Sequence, residues 1–274
     1  MWHEGGAIER LDAVLLDPGF MRHLHACNTA VLPGERLPFL LAGVPVGWVG
    51  QAIASALAGF RAVETGPSGV NLTDSAALPS IAEALAVRKM FRWRGEAFDV
   101  RGPDKTVLST IDRGAIPAFG IEATGVHANG LVHRADGLHL WVARRAANKT
   151  LDPGKLDHIV AGGVPAGFCP MACLIKEAAE EAAIPAALAA TARHVGEIRY
   201  AMERPEGLRR DHLHCYDLEL PEYFVPMATD GEVESFALWP VERVFATVRN
   251  TDDFKFNVNV VLIDLFRRLG MMGD

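Results

Sequence analysis

Apolar residues recur at helical spacing over residues 170–183, where Met171, Leu174, Ile175, Ala178 and Ala182 fall on one stripe. Glu177, Glu180 and Glu181 share the other side, at i, i+3 and i+4. Pro170 suits a first helical turn and Pro185 cannot continue one. Upstream the period changes to two. Residues 125–133 and 138–143 alternate like strands, and Asp136-Gly137 between them signals a hairpin turn. Residues 158–161 form a short apolar strand running into Gly162 and Gly163. Further strands are expected at 196–201, 213–220 and 234–239, and helices at 241–248 and 257–269.

The first part of the chain reads as a smaller α+β unit. Helical spacing runs over 7–27, with Ile8, Leu11, Leu15 and Leu16 among its apolar positions. Residues 38–50 read as a hairpin turning near Ala42-Gly43, and 51–58 and 75–88 as helices. Gly66-Pro67-Ser68-Gly69 is a turn, and a strand is expected over 97–100. The fold class is therefore α+β, with one unit over 1–116 and a second over 117–274.

Totals narrow the function. With 274 residues, two domains are comfortable. The net charge of −7 argues against a broad basic face for nucleic acid. An acidic chain can still bind a phosphate ester when a divalent cation bridges the two. No apolar run reaches the ~18 residues of a membrane span, and residues 1–6 show no signal-peptide pattern, so a cytoplasmic protein with reduced thiols at Cys27, Cys169, Cys173 and Cys215 is expected.

The acidic helix face is the strongest chemical feature. Like charges at this spacing repel by roughly 0.2–0.5 kcal/mol per pair, and a divalent cation turns that repulsion into binding. Mg²⁺ takes oxygen ligands and bridges carboxylates to phosphate. A solvated acidic face explains the spacing equally well. Gly162, Gly163 and Gly167 tip the balance, because they let the backbone approach a ligand just before the helix.

Residues 162–184 (GGVPAGFCPMACLIKEAAEEAAI) resemble the Nudix box: Gly, five residues, Glu, seven residues, then Arg-Glu-apolar-x-Glu-Glu-x-Gly-apolar. Gly162 matches the first Gly, Glu177 the Glu after the Arg, and Glu180 and Glu181 the Glu pair. The resemblance implies an α/β/α sandwich around a mixed sheet and hydrolysis of a small-molecule diphosphate. It implies Mg²⁺ or Mn²⁺ held by Glu177, Glu180 and Glu181, with Lys176 in place of the Arg to orient them. It also implies close approach of substrate to Gly162 and Gly163, and carries the family's common homodimeric state as an expectation. Phe168 replaces the pattern's first Glu and Ala183 its second Gly. Segments 140–150, 153–163, 174–182, 230–242 and 254–257 further resemble the Nudix domain fused to fungal thiamine pyrophosphokinase. That subgroup suggests oxidised analogues of thiamine diphosphate as substrates.

Other residues follow from this reading. Arg144, Arg145 and Lys155, with Lys149, precede the glycine loop and could hold a distal phosphate. Glu232 is a candidate further metal ligand or base, ahead of Glu234. His212 and His214 show no zinc spacing, and Cys169 and Cys173 read as small apolar fillers. His158 reads as an interior histidine. Trp48 and Trp93 read as core residues, with ring stacking as the alternative. Two rival functions stand: a catalytically silent ligand-binding protein, favoured by Phe168 and Ala183, and an isopentenyl-diphosphate-isomerase-like enzyme, whose mark would be a second metal bound through histidine.

Overall fold

The computed structural model describes residues 17–149, 151–229 and 231–272. Helix α1 (Pro18–Cys27) starts where Asp17 accepts a hydrogen bond from the Gly19 N–H at 2.8 Å and Pro18 fills the first turn. Residues 7–16 of the helix expected over 7–27, with Ile8, Leu11, Leu15 and Leu16, lie outside the described residues.

Strands β1 (Leu37–Leu41) and β2 (Val44–Val49) form the expected hairpin. Ala42 and Gly43 both take positive φ at its turn, 47° and 82°, which suits the twist of a tight hairpin. Helix α2 (Gln51–Leu57) follows. The Gly66–Gly69 turn joins β3 (Val63–Gly66) and β4 (Gly69–Leu72), two strands too short for their period to show in the sequence. Helix α3 (Leu78–Val87) starts after a 3₁₀ turn at Ser75–Ala77, which occupies the first residues of the helix expected over 75–88. Strand β5 (Ala97–Arg101) pairs with an unforeseen β6 (Val107–Asp112), and a short α4 (Ile116–Phe119) ends the region. The first sheet has the order β2-β1-β4-β3 and a core that includes Phe39, Leu57, Leu72 and Phe119.

The second region begins with a long strand β7 (Glu122–Arg134), followed by β8 (Gly137–Arg145), β9 (Leu156–Asp157) and β10 (Val160–Gly163). Helix α5 (Pro170–Ala182) and a short α6 (Ala186–Ala189) come next. Strands β11 (Arg193–Arg204), β12 (Gly207–Glu219) and β13 (Val233–Pro240) lead to α7 (Val241–Asn250) and α8 (Phe256–Arg268). The sheet order is β11-β12-β7-β8-β13, with β10 on β7 and β9 on β8. It is mixed, because β12 runs parallel to β7 while the other pairs are antiparallel.

Alternation along the strands sends side chains to two cores. Leu213 and Cys215 join Phe20, Leu24, Val244 and Phe266 on the face covered by α1, α7 and α8. Tyr216, Val126 and Ala128 join Cys173, Leu174 and Ala178 on the face covered by α5 and α6. This is an α/β/α sandwich. Helix α1, expected in the unit 1–116, packs instead on α8 and α7, because Phe20, Leu24 and Cys27 find their apolar partners there. Helix α5 ends at Ala183, whose φ of 54° is the left-handed cap that glycine takes without strain, and the Ile184 N–H donates to the Ala178 carbonyl at 3.0 Å.

Candidate active site

Strand β10 and helix α5 bring the glycine loop and the acidic face together. At Gly162 an added Cβ would lie 2.7 Å from both the carboxyl carbon and Cγ of Glu177. Only a glycine leaves Glu177 room to lie across the strand. Glu181 is buried, 8% exposed, and its Oε2 accepts the Ala161 N–H at 2.9 Å. Lys176 Nζ reaches back to Glu177 Oε1 at 3.2 Å and Glu180 Oε2 at 2.5 Å.

Burial sets the electrostatics of the two carboxylates. Burial pushes the Glu181 carboxyl well above the usual range; the Ala161 N–H opposes this, while Asp157, Glu177 and Glu232 add to it. Burial also raises Glu177, against the pull of Lys176. Glu232 thus stands close enough to be felt by both, and Lys149 Nζ pairs with its carboxylate. Glu234 is exposed on β13.

A second buried polar group adjoins the first. Asp157 Oδ2 accepts from Arg145 Nη1 at 2.7 Å and lies 3.6 Å from Lys255 Nζ. Burial works to raise Asp157, but Lys255 and Arg145 outweigh it and hold the carboxyl down at about 2. His127 and His158 meet through their Nδ1 atoms at 2.9 Å, and burial lowers both, His158 to about 4. Among the described residues His158 Nε2 has no hydrogen-bond partner, so this interior histidine is only half satisfied. His127, Asp157 and His158 are close enough to share a cation. Arg145 and Lys255 already neutralise Asp157, however, and the facing imidazole nitrogens share a hydrogen. Asp157, His158, Glu181 and Glu232 line one cavity of about 10 Å³. That holds at most one water, so nothing larger fits inside it.

Of the expected phosphate-binding residues, Arg145 lines the same cavity as Glu181 and Glu232, while Arg144 and Lys155 are held by backbone carbonyls. Arg144 Nη1 donates to the Gly154 carbonyl at 2.9 Å, and Lys155 Nζ to the Asp252 carbonyl. Arg145 divides its donors among Asp157 and the carbonyls of Asp152 and Leu151. Of the four cations before the glycine loop, Lys149 is the one paired at the carboxylate cluster. Lys255 and His127 were missed because neither sits in a local pattern; Lys255 falls in the FKFN segment, which carried only a resemblance. Cys173 is a buried filler with its Sγ 3.3 Å from the Gly163 carbonyl, but Cys169 is exposed, because it is the N-cap of α5 and lies off its apolar stripe. Trp48 is buried as expected, but Trp93 is exposed rather than a core residue, because it lies in the irregular segment before β5 and not on a packed face.

The first region reaches into this site. The Ala166 N–H donates to the Ala97 carbonyl at 2.8 Å and the Gly167 N–H to Asp99 Oδ2 at 3.3 Å. A Cβ on Gly163 would meet the Phe98 ring at 2.6 Å. Strand β5 therefore braces the loop between β10 and α5, where Phe168 is 39% exposed.

Known proteins give this arrangement its class: the chain belongs to the Nudix hydrolase family, whose members hydrolyse diphosphates and in general use a divalent metal such as Mg²⁺ or Mn²⁺. It is similar to Nudix hydrolase 20, chloroplastic, of Arabidopsis thaliana, with 34% identity over 275 residues, 93% of this chain and 74% of the relative. Nudix hydrolase 24, chloroplastic, of the same organism shares 36% over 268 residues, 93% of this chain and 73% of the relative. Residues 19–123 match a family described as a domain of unknown function, DUF4743. Among solved structures, DR0079 from Deinococcus radiodurans is similar at 22% identity and a TM-score of 0.48, covering 63% of this chain and 98% of that one. Among the described residues no helix is long and apolar enough to cross a membrane. Both relatives are named chloroplastic, so they lend the cytoplasmic expectation no support.

Proposed function

We propose that the chain hydrolyses an organic diphosphate at the acidic side of α5, with exposed Glu180, half-buried Glu177 and buried Glu181 as the carboxylates that hold Mg²⁺ or Mn²⁺. The observation that carries this is Glu177 lying across Gly162, in a space a Cβ would fill, beside a buried Glu181 whose only hydrogen bond among the described residues is from a backbone N–H. Glu177 and Glu181, raised by burial and by neighbouring carboxylates, suit a hard divalent cation. When bound, the cation would neutralise them and polarise a phosphoryl oxygen.

The chain's own groups do the rest. The Ala161 N–H fixes one oxygen of Glu181 and leaves the second for a ligand. Lys176 holds Glu177 and Glu180 side by side. Glu232 is the further ligand or the base that takes a proton from the attacking water, and Lys149 beside it supplies a cation for the distal phosphate. Gly162 gives Glu177 its room and Gly163 gives the Phe98 ring its room, so these glycines shape the site rather than admit substrate to the backbone. Residues 28–116 form an accessory domain that braces the loop through β5, and α1 with the described residues from 117 onward forms the hydrolase domain. Oxidised thiamine diphosphate is the first substrate to try, on the resemblance to the thiamine pyrophosphokinase fusions.

The test is phosphate-ester release with Mg²⁺ or Mn²⁺ from oxidised and normal thiamine diphosphates, ADP-ribose, NADH, dinucleoside polyphosphates and nucleoside triphosphates. Turnover of one of these that Glu181→Gln lowers supports the reading. A folded protein that turns over none of them sinks it. It would leave the ligand-binding reading, in which Phe168 stands where the family's supporting carboxylate is missing.

A further inference from the structure

Strand β11 is the edge of the large sheet, and its pairing with β12 contains a bulge. The register runs His194 to Tyr216, then Gly196 to Cys215 and Glu197 to His214, so Val195 is the extra residue. Without it, His194 and Glu197, three apart, would point to opposite faces. The bulge turns His194 onto the face of Glu197. Cross-strand partners share a face, so His214, Tyr216, His212 and Arg199 lie there too. His194, Glu197 and His214 each offer one donor atom within 4.8 Å of the others. Glu197 Oε1 is already 3.6 Å from His214 Nδ1.

The carboxylate is held in place from behind. His212 Nε2 lies 2.7 Å from Glu197 Oε2, and Arg199 Nη2 lies 3.1 Å from His212 Nδ1. Guanidinium can only donate, so His212 accepts at Nδ1 and donates from Nε2 to Glu197. That leaves Oε1 toward His214 and His194. Such outer hydrogen bonds are what orient ligands at metal sites. Glu122 adds a carboxylate 3.7 Å from His212.

We propose that His194, Glu197 and His214 form a second cation site, for one borderline divalent ion of the Zn²⁺ class, with water in the open fourth position. Donors about 2 Å from Zn²⁺ in a tetrahedron sit about 3.3 Å apart, which side-chain rotation supplies from the spacing seen. Two imidazoles and one carboxylate favour Zn²⁺ over Mg²⁺, which takes oxygen ligands. The ion would tie the edge strand β11 to β12. Neither histidine spacing nor the HLHCY motif signals this, because the bulge supplies the third ligand. Cys215 beside the cluster faces the opposite core.

The experiment titrates the full chain with ZnCl₂ in excess Mg²⁺, by calorimetry, beside His194→Ala, Glu197→Gln, His212→Asn and Glu181→Gln. One Zn²⁺ per chain is expected, unchanged in Glu181→Gln. His194→Ala and Glu197→Gln should weaken it by at least about 100-fold, and His212→Asn by about 10- to 100-fold. Co²⁺ should give a visible tetrahedral band that His194→Ala abolishes. His194 is exposed, so its variant keeps the fold, which circular dichroism checks. Absence of Zn²⁺ binding overturns the proposal. So does a Zn²⁺ that survives His194→Ala and disappears in Glu181→Gln, since that ion would sit on α5.

Discussion

Asp157 and Glu181 are both buried carboxylates on the wall of one small cavity, and their surroundings are opposite. Asp157 has Arg145 and Lys255 beside it and stays ionised down to a pH of about 2. Glu181 has a backbone N–H and other carboxylates for neighbours, and its carboxyl is pushed well up. Asp157 is neutralised from within the fold, Glu181 is not. A buried charge without a partner is costly unless something outside the chain completes it. That contrast marks the β9 group as scaffold and is the reason the proposal places the ligand at the α5 group.

The largest effect should come from Asp157→Asn. It leaves Arg145 and Lys255 facing no charge, and breaking a buried pair this way costs about 3–5 kcal/mol. Urea denaturation should show it; a variant as stable as the parent would make the two carboxylates alike. Glu181→Gln should do the reverse. Turnover should fall about 100-fold or more, roughly 2.7 kcal/mol of barrier, while metal-free thermal stability holds or rises. Added Mg²⁺ should stabilise the parent more than the variant. A large loss of metal-free stability would show Glu181 to be structural.

Gly162→Ala tests the site without touching a carboxylate. The new methyl displaces Glu177, and turnover should fall about 10-fold, or about 1.4 kcal/mol, with far-ultraviolet circular dichroism unchanged. Unaltered kinetics would remove Glu177 from the site. Ala183→Gly should stabilise the protein by about 0.5–1 kcal/mol, because glycine takes the left-handed cap without strain. Thermal melting reads this.

The two carboxylates also differ in sign with pH. Asp157 is depressed from 3.8 to about 2, so its stabilisation is complete above 3.8 and is lost as pH falls through about 2. Glu181 is raised above 4.5, so its contribution is present below 4.5 and is lost as pH rises through its folded value. Denaturation from pH 2 to 4 should therefore be flatter in Asp157→Asn than in the parent. Equal slopes would mean that Asp157 is not held down.

The sequence by itself determined the parts whose cause is local. The stripe of α5, the i, i+3, i+4 spacing of Glu177, Glu180 and Glu181, the Ala42-Gly43 turn and the main strands of the sandwich all follow from neighbouring residues and the periods 3.6 and 2. Gly162 was legible as a position for close approach, although only the fold shows that Glu177 is what approaches. Tertiary structure decided which charges meet. Arg145 and Lys255 are far apart in the chain and converge on Asp157, while Lys149 rather than Lys155 reaches Glu232. It also decided that α1 joins the second core and that one extra residue in β11 turns His194 beside Glu197. Periodicity assigns a side chain to a face, but its partner is set by register and by burial between distant segments, and these exist only once the chain has folded.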